Sequence, residues 1–477
     1  MRVALTGGAY TARSVIAGAQ RCVNLYPEMV PQPQGEPAPT AHYPTPGLVS
    51  LATPPSPAAG RGLCRASSGQ LFAIVGSTVY AVSSGWGWTA LGTIAAGATP
   101  VSMADNGTTL VLVDGSTAGY TVDLSTLAFG AIGDSAFYGA DRVDFSDTYF
   151  LFNKPGTPQF YISGSQAVTF DPLDFADKTS SADSLVGVVE LRSEIWLLGE
   201  LFSEVWINSG ASDFTFQRLP AGVIEHGCCA KYSIAKQDAS VFWLSQDRAG
   251  EGIVLMGGGI EVKRISTHAI EAEFGTYATL SDAVGFSYQQ GGHVFYVLTF
   301  PTADKTWVFD ASTGLWHERM WLDDQGVEHR HRGAFHAFAY GANVVQDWQT
   351  GALYRLDPDA YDDAGQPIRR VRSFPHMLAD GRRVMYRQFI ADMEVGTVSG
   401  VAAGQNEPQV FLRWSDSRGQ SWGNPVGSSL GATGAYQTSI QFQRLGMARD
   451  RVFELSWSAS VRTALLGAFI DAKPAGT

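Results

Sequence analysis

Short apolar segments recur along the middle of the chain. Each has four or five mainly apolar residues, and turns separate the segments, which is the pattern of buried strands between turns. They begin roughly every 40–50 residues, the length of a four-stranded propeller blade. The segments are Leu71–Val75, Thr109–Val113, Tyr149–Phe152, Glu194–Leu198, Val241–Leu244, Val294–Leu298 and Ala334–Phe338. This spacing predicts a β-propeller of six or seven blades, because the repeats are too degenerate to fix the number.

A turn motif also repeats. The segment Asp310–Trp316 returns 37 residues later as Asp347–Tyr354. A weaker copy, Asp123–Phe129, has Leu127 where Gly would stand. Asp caps such a turn, Thr supports it and Gly supplies a positive φ, so we expect one such hairpin per blade. The predicted turn residues are Asp310, Thr313, Gly314, Asp347, Thr350 and Gly351.

The two ends of the chain differ from this middle part. Residues 1–58 are rich in proline and predict an extended arm that needs other surfaces on which to lie. Residues 59–366 form the predicted propeller. Residues 367–477 predict a β-sandwich-like platform domain, which the arm could complete. Its predicted strands are Gln388–Glu394, Gln409–Trp414, Ser439–Arg444, Val452–Trp457 and Leu465–Asp471. The fold class is therefore all-β.

Composition limits the possible functions. Hydrophobic residues make up 45% of the chain and charged residues 16%, which excludes a disordered protein. The net charge of −12 argues against a surface that grips phosphates broadly, but it does not exclude a channel through which DNA slides. No stretch approaches the roughly 20 apolar residues of a membrane span. No signal-peptide core follows Met1, so we expect a cytoplasmic protein or one kept in a particle assembled there.

Candidate chemical sites have simpler structural interpretations. The segment Ser415–Trp422, with Ser415, Gly419 and Trp422, approximates the Asp-box of sialidases, with Ser417 replacing the Asp and Asp416 beside it as a possible cap. The Asp-box is a structural hairpin, so a turn is favoured over glycan cleavage. His329 and His331, with Glu328 and His336 nearby, could hold zinc, although a polar strand face is favoured. The segment Asp357–Asp363 could attract calcium, but a solvated turn is favoured.

The remaining motifs do not indicate catalysis. Walker A and G-x-G-x-x-G sequences are absent from the chain. The four cysteines fit no zinc or redox spacing and are expected to be buried free thiols. We therefore predict a non-enzymatic protein with no catalytic, cofactor-binding or metal-binding residues. The basic residues that could contact DNA phosphates or a neighbouring subunit are Arg369, Arg370, Arg372, Arg382 and Arg383.

Several segments resemble one protein family. Gln20–Glu28, followed by Pro44–Leu48, resembles the opening of the packaged-DNA-stabilisation proteins, also called tail hub or nozzle proteins of short-tailed phages. Further similar segments are Ile224–Ala230, Arg264–Glu271, Gly291–His293, Phe295–Pro301 and Thr306–Arg319. Together they extend over most of the chain.

This resemblance implies a propeller with a platform domain, assembled as a six-fold ring below the head-to-tail adaptor, that closes the particle after DNA packaging. It implies a virion tail location, with assembly in the host cytoplasm. The implied partners are further copies of the chain, the adaptor, tail fibre, spike or needle proteins, and genomic DNA in the lumen. We expect the arm to lie across a neighbouring subunit or the adaptor. The alternatives are a glycan-binding or glycan-cleaving propeller and a receptor-binding tail protein.

Overall fold

The computed structural model describes residues 7–29, 40–378, 381–396, 407–432, 434 and 436–474. Within these ranges the chain is almost entirely β-structure, with one α-helix at His268–Phe274 and one 3-10 helix at Lys231–Ser233. Among the described residues, no helix is long and apolar enough to cross a bilayer. The predicted all-β class is therefore confirmed.

Seven four-stranded antiparallel blades are present in the described part of the chain. The first strands of neighbouring blades contact one another around most of the ring, so they line the propeller axis. Blade 1 contains Gly60–Arg65, Leu71–Val75, Thr78–Val82 and Trp88–Thr93. Blade 2 contains Ser102–Asp105, Thr109–Val113, Gly119–Asp123 and Phe129–Ala131. Blade 3 contains Val143–Ser146, Tyr149–Asn153, Gln159–Ile162 and Phe175–Asp177.

The remaining blades follow in chain order. Blade 4 contains Leu185–Leu191, Glu194–Gly199, Ser203–Asn208 and Phe216–Ile224. Blade 5 contains Ala235–Gln237, Ser240–Gln246, Gly252–Gly258 and Glu261–Arg264. Blade 6 contains Val284–Gln290, His293–Phe300, Lys305–Asp310 and Leu315–Leu322, with Glu328–Arg330 added to its last strand. Blade 7 contains Gly333–Ala339, Ala342–Asp347, Leu353–Asp357 and, from the arm, Gly47–Ala52.

Each predicted apolar segment falls in a different blade. Six are the second strands of blades 1 to 6, and the seventh, Ala334–Phe338, lies in the first strand of blade 7. A second strand is paired on both edges and covered by neighbouring blades on both faces, so most of its positions are buried. In Leu71–Val75, for example, every residue is buried. In blades 1 to 6 the periodicity therefore reports the enclosed second strand, whereas in blade 7 it falls on a first strand that is largely half-exposed.

The arm closes the propeller. Gly47–Ala52 pairs antiparallel with Leu353–Asp357 and forms the outer strand of blade 7. A side chain at Gly47 would come within 2.5 Å of the carbonyl oxygens of Ala360 and Asp362, so only glycine fits there. The ring of blades is thus joined by backbone hydrogen bonds between the two ends of the propeller sequence.

The C-terminal domain is a sandwich of two sheets. The first sheet contains Arg370–Ser373, Met377–Leu378, Gln409–Ser415, Val426–Ser429 and Asp450–Trp457. The second contains Val384–Met393, Ile440–Gln443, Met447–Ala448, Leu465–Pro474 and two arm strands, Leu25–Met29 and Thr40–Pro44. Apolar side chains of both sheets share one core, in which the rings of Phe389 and Phe453 lie 5.3 Å apart. The arm thus completes the sandwich as well as the propeller.

The described arm is paired with strands of its own chain. Tyr10–Thr11 and Ala19–Gln20 form a small hairpin, and Cys22–Val23 pairs with strands of both domains. The sequence did not predict this pairing within the chain, and contact of the arm with a neighbouring subunit or the adaptor stays a prediction. Residues 30–39 lie outside the described residues. The connection between the domains contains the short strands Asp362–Asp363 and Gln366–Pro367.

The closing strand generates a stability prediction. Leu48 is 1% exposed and packs in the core between blades 6 and 7. Substitution of Leu48→Ala is expected to lower the free energy of unfolding by about 2–5 kcal/mol, because it leaves a cavity in a closed core. Val49→Ala on the same strand is the matched control, since Val49 is only partly buried. Guanidinium unfolding measures both, and equal losses would contradict this role of the closing strand.

Candidate functional site

The Asp310 turn joins the third and fourth strands of blade 6. Asp310 Oδ1 accepts a hydrogen bond from the Ser312 N–H at 2.9 Å, and Thr313 Oγ1 donates to Asp310 Oδ2 at 2.9 Å. Gly314 has a φ of 71°. The carboxylate also hydrogen-bonds His293 Nδ1 at 2.8 Å, which raises the pKa of His293. The turn is therefore tied into the blade.

The Asp347 copy lies in a different kind of hairpin. Asp347 Oδ1 accepts from the N–H groups of Gln349 and Thr350, and Gly351 has a φ of 70°. This turn joins the second and third strands of blade 7, whereas the Asp310 turn joins a third strand to a fourth. Successive hairpins lie on opposite faces of a propeller, so the two copies do not mark equivalent positions. The expectation of one such hairpin per blade is wrong.

The weaker copy shows why the chemistry recurs. Asp123 Oδ1 accepts from the N–H groups of Ser125 at 2.9 Å and Thr126 at 2.7 Å. Leu127 occupies the glycine position with a φ of 60°, which is strained for a residue with a side chain. The same Asp cap is found in all three hairpins because a tight turn needs its backbone N–H groups bound, wherever the turn lies in a blade.

The Asp-box-like segment is a turn in the sandwich, between Gln409–Ser415 and Val426–Ser429. Ser415 Oγ accepts from the Gly419 N–H at 2.8 Å, and Gly419 has a φ of 90°. The guanidinium of Arg413 lies 4.8 Å from the ring centroid of Trp422. All the geometry of this segment is that of a capped turn.

Asp416 does not cap that turn, contrary to one possibility raised by the sequence. Its carboxylate binds the buried Arg451, with Asp416 Oδ1 2.6 Å from Arg451 Nε and Oδ2 2.8 Å from Nη2. Ser417 Oγ instead accepts from the Ser421 N–H at 2.8 Å. The hydroxyl thus replaces the Asp of the pattern, and the neighbouring exposed carboxylate pairs with the buried guanidinium of Arg451.

The histidines and aspartates considered as metal ligands have other partners. His329 hydrogen-bonds Asp304 at 2.7 Å, which raises the pKa of His329. His331 is buried and accepts from the Gly333 N–H at 3.1 Å. Asp357 accepts from Arg355 and from the Asp359 N–H. Within the described ranges, no group of three or more His, Cys, Asp or Glu side chains is arranged to hold a metal ion. All four cysteines are free.

A cluster of polar side chains lies where the arm, blade 6 and the sandwich meet, a region that we call the seam. Cys22–Val23 pairs in parallel with the last strand of blade 6 and antiparallel with Arg370–Ser373 of the sandwich. Blade 6 and the first sandwich sheet therefore form one continuous hydrogen-bonded sheet. Such a sheet restricts movement between the domains more than a flexible linker could.

Asn24 is the central residue of the seam. Its Nδ2 donates to the carbonyl of Met320 at 3.0 Å and to that of Arg369 at 2.8 Å, while its Oδ1 accepts from the Met320 N–H at 3.1 Å. One buried side chain thus contacts the propeller and the sandwich at once. Its φ of 51° is left-handed, a conformation that Asn adopts more readily than most residues.

Two of the five arginines proposed for DNA or subunit contact are fully buried at the seam and the adjoining connection. Arg370 donates to the carbonyls of Tyr361 and Ala459, and burial lowers its pKa to about 10. Arg372 donates to the carbonyls of Gly8 and Arg21. For Arg370 and Arg372 the prediction of a surface contact is wrong, because both guanidinium groups bind backbone carbonyls inside the chain.

A third arginine belongs to a partly exposed ion network. Arg369 lies 2.9 Å from Glu328, which also faces Arg21 at 3.4 Å. Arg21 and Lys305 both contact Glu318. Burial alone would raise the pKa of Glu318, but these two cations outweigh it and hold the pKa below its ordinary value. Only Arg382 and Arg383 are exposed, near one end of the sandwich, and for them contact with DNA or a subunit stays a prediction.

An ion cluster joins the first strands that line the propeller axis. Lys236 on the first strand of blade 5 donates to Asp144 of blade 3 at 2.8 Å and to Glu190 of blade 4 at 3.3 Å. Ser287 of blade 6 donates to the Lys236 carbonyl at 2.8 Å. The first strands of four successive blades are thus tied together by polar side chains beside the axis.

Comparison with known protein families identifies the chain. Residues 1–361 match the description "Bacteriophage P22 Gp10, beta-propeller", and residues 369–473 match "Bacteriophage P22 Gp10, beta-sandwich". The chain belongs to the bacteriophage P22 Gp10 family. Members of this family are structural phage tail proteins, of the nozzle and DNA-stabilisation type. The family predicted from the segment resemblance is confirmed, as are the propeller and the sandwich.

Solved structures of similar fold are distant in sequence. The WD40 β-propeller domain of Doa1 is 9% identical, has a TM-score of 0.42 and covers 65% of this chain and 98% of its own. The RRP9 WD40 repeats are 10% identical, with a TM-score of 0.42 and coverage of 66% and 99%. BamB from Moraxella catarrhalis is 11% identical, with a TM-score of 0.37 and coverage of 65% and 99%. A search of curated protein sequences gave no significant match.

Removal of the Asn24 side chain should loosen the seam. Asn24→Gly is expected to lower the free energy of unfolding by about 3 kcal/mol, since three hydrogen bonds are worth about 1 kcal/mol each. Asn24→Ala should cost about 1 kcal/mol more, because alanine disfavours the left-handed backbone. Guanidinium unfolding compares the two variants with the parent. Losses below about 0.5 kcal/mol for both would refute the importance of this side chain.

Asp363 should make stability fall as the pH rises. Burial raises the pKa of Asp363 to about 7, despite the nearby charges of Arg332 and Arg370. The pKa of an unfolded Asp is about 3.9, so the contribution of protonated Asp363 is present below about pH 4 and is lost as the pH approaches 7. Asp363→Asn is expected to flatten this slope in urea unfolding between pH 5 and 8, whereas Asp362→Asn should not. An unchanged slope in Asp363→Asn would contradict the assignment.

Proposed function

We propose that this chain is a non-enzymatic subunit of the tail of a short-tailed phage. Copies form a ring below the head-to-tail adaptor, and this ring retains the packaged DNA and conducts it during ejection. The observation that carries the proposal is the match of both domains to one tail-protein family, over residues 1–361 and 369–473. The match to this family covers the sandwich as well as the propeller, so it is more specific than a match to β-propellers in general.

The seam supports a mechanical role. A tube wall under pressure needs subunits that do not flex between domains. Here the sheet runs from blade 6 through Cys22–Val23 into the sandwich, and Asn24 locks its two sides together. Closure of blade 7 by the arm joins the two ends of the propeller sequence by backbone hydrogen bonds. The whole chain is therefore suited to act as one rigid block.

The propeller axis does not suit the passage of DNA. Lys236 reaches Asp144 and Glu190 from two other blades, which brings three first strands within side-chain reach of one another. The major groove of a DNA duplex alone is about 12 Å wide. The whole duplex therefore needs an opening far larger than the distance that one lysine side chain spans. In this proposal the DNA passes along the axis of the ring of copies, and the propellers form its wall.

The proposed partners follow from this position. They are further copies of the chain, the head-to-tail adaptor, tail fibre, spike or needle proteins, and the DNA in the lumen. Assembly takes place in the host cytoplasm and the product is part of the virion tail. The glycan-active alternative had its main sequence support in Ser415–Trp422, and that segment is a capped turn of the sandwich.

Immunogold electron microscopy of purified particles tests the proposal. Antibody raised against the recombinant chain is expected to label the tail just below the head vertex, and the label should vanish when the antibody is first absorbed with the same protein. Label at the tips of fibres would favour the receptor-binding alternative. Absence of label, with the protein free in the lysate, would reject a virion role.

A further inference from the structure

Charge is divided unequally between the two domains. Residues 369–477 contain 13 Lys and Arg against 8 Asp and Glu, a net charge of +5. Residues 1–368 contain 20 Lys and Arg against 37 Asp and Glu, a net charge of −17. A basic sandwich on an acidic propeller gives the molecule a strong electrostatic polarity, which favours association between unlike domains of different copies.

The excess positive charge is concentrated at one end of the sandwich, which we call the basic end. Its strands lie side by side, because Met385 pairs with both Met447 and Lys473, and the Arg444 N–H donates to the Arg387 carbonyl at 3.0 Å. This end is remote from the connection to the propeller, where Arg370 pairs with Trp457. Its exposed cations are Arg382, Arg383, Arg387, Arg444, Arg449 and Lys473.

These six cations differ from the other basic groups of the sandwich. Arg413, Arg418 and Arg451 form ion pairs with acidic side chains. In the described part of the chain, the six cations of the basic end have no ion pair with an acidic side chain. Among the described residues, the nearest exposed acid along the strands is Asp471, two residues before Lys473 and paired with Gln388. The basic end therefore carries uncompensated charge.

The composition of the basic end favours a protein partner. Met385 and Met447 are 44% and 43% exposed at its centre, and five of its six cations are arginines. Exposed methionine and arginine are enriched in protein–protein interfaces, whereas lysine is depleted there. Phosphate contacts alone would not require the apolar centre.

A complementary surface lies on blades 3 and 4, which we call the acidic rim. Asp177, Glu200 and Glu225 are exposed there, beside Leu201 and Val223, which are 64% and 40% exposed. The loops are held together, because Asp183 accepts from the Leu201 N–H at 2.7 Å and pairs with the buried Lys178 next to Asp177. Ser203, near Leu201, pairs with Ile224, the neighbour of Glu225. The rim thus has negative charge around an apolar centre, whereas the basic end has positive charge around an apolar centre.

The two surfaces cannot contact each other within one chain. The sandwich continues outward from the last strand of blade 6, whereas blades 4 and 3 lie two and three blades away around the ring. Contact between such surfaces must therefore join different copies. An interface between two unlike surfaces is heterologous, and its repetition produces a closed ring when the rotation between copies permits.

We infer that the basic end of one copy docks on the acidic rim of the next copy, and that this contact is the repeating interface of the assembly. The inference rests on the proposed ring and specifies how it is built. Salt should weaken the interface, since screening shortens the Debye length from about 10 Å at 0.1 M to about 3 Å at 1 M. The apolar centres supply the part of the affinity that salt does not remove.

Sedimentation velocity of the purified full chain tests the inference. Basic-end reversal (Arg382→Glu, Arg383→Glu and Arg387→Glu) and rim reversal (Asp177→Lys, Glu200→Lys and Glu225→Lys) should each weaken self-association by at least about tenfold. An equimolar mixture of the two variants should regain assembly, because every reversed surface then meets an opposite charge on the other variant. The control reverses three exposed cations elsewhere, Arg65→Glu, Arg248→Glu and Lys263→Glu, and should associate as the parent does. Circular dichroism and thermal unfolding confirm that each variant is folded.

Several outcomes would overturn the inference. The inference is wrong if the parent chain stays monomeric in low salt. It is also wrong if neither reversal changes self-association, or if the mixture of the two variants fails to assemble. Anisotropy of a labelled DNA duplex is measured in parallel. If basic-end reversal removes DNA binding and leaves self-association intact, the partner of this surface is nucleic acid. The proposed function is tested separately, because absence of immunogold label on the tail would reject it. It would survive a sedimentation result that rejects this interface.

Discussion

The placement of the two domains depends on one buried side chain, that of Asn24. It hydrogen-bonds the carbonyl of Met320 in blade 6 and the carbonyl of Arg369 at the start of the sandwich. Because an amide has both donors and an acceptor, it can satisfy strands of two domains at once, which an apolar residue at this position could not. Around it, Arg372 and the backbone of Cys22–Val23 make the junction part of a single sheet. The rigidity proposed for a tail wall begins here.

Much of the architecture could be predicted from the sequence, because buried second strands are written as continuous apolar runs. The sandwich strands were placed within a few residues, for example Val452–Trp457 within Asp450–Trp457. The blade number could not be predicted, since first and fourth strands such as Ser102–Asp105 are short and half-exposed and carry no apolar signal. The prediction of one Asp turn per blade was wrong for a related reason. The capping residues indicate a tight turn, but they do not indicate which two strands of a blade the turn joins.

The seam was beyond sequence reasoning, because its contacts join residues about three hundred positions apart. Arg370 and Arg372 looked like a basic surface run, and nothing local distinguishes an arginine that meets phosphate from one that meets backbone carbonyls. Polar and apolar residues alternate in Arg370–Ser373, a pattern that normally marks a strand with one exposed face. It was a weak guide here, because all four residues of this strand are buried. Asn24 stood in a segment recognised by family likeness, and its isolation among apolar neighbours was the only physical indication of its role.

Closure of the propeller by the arm has a consequence for biogenesis. Gly47–Ala52 leaves the ribosome early, but its partner Leu353–Asp357 is made about 300 residues later. At about 5–20 residues per second, the arm waits on the order of 15–60 s before blade 7 can form. During this time neither the propeller nor the arm-dependent sandwich is complete, so nascent chains cannot present finished assembly surfaces. Translation itself would then act as a timer that delays ring formation until each copy is whole.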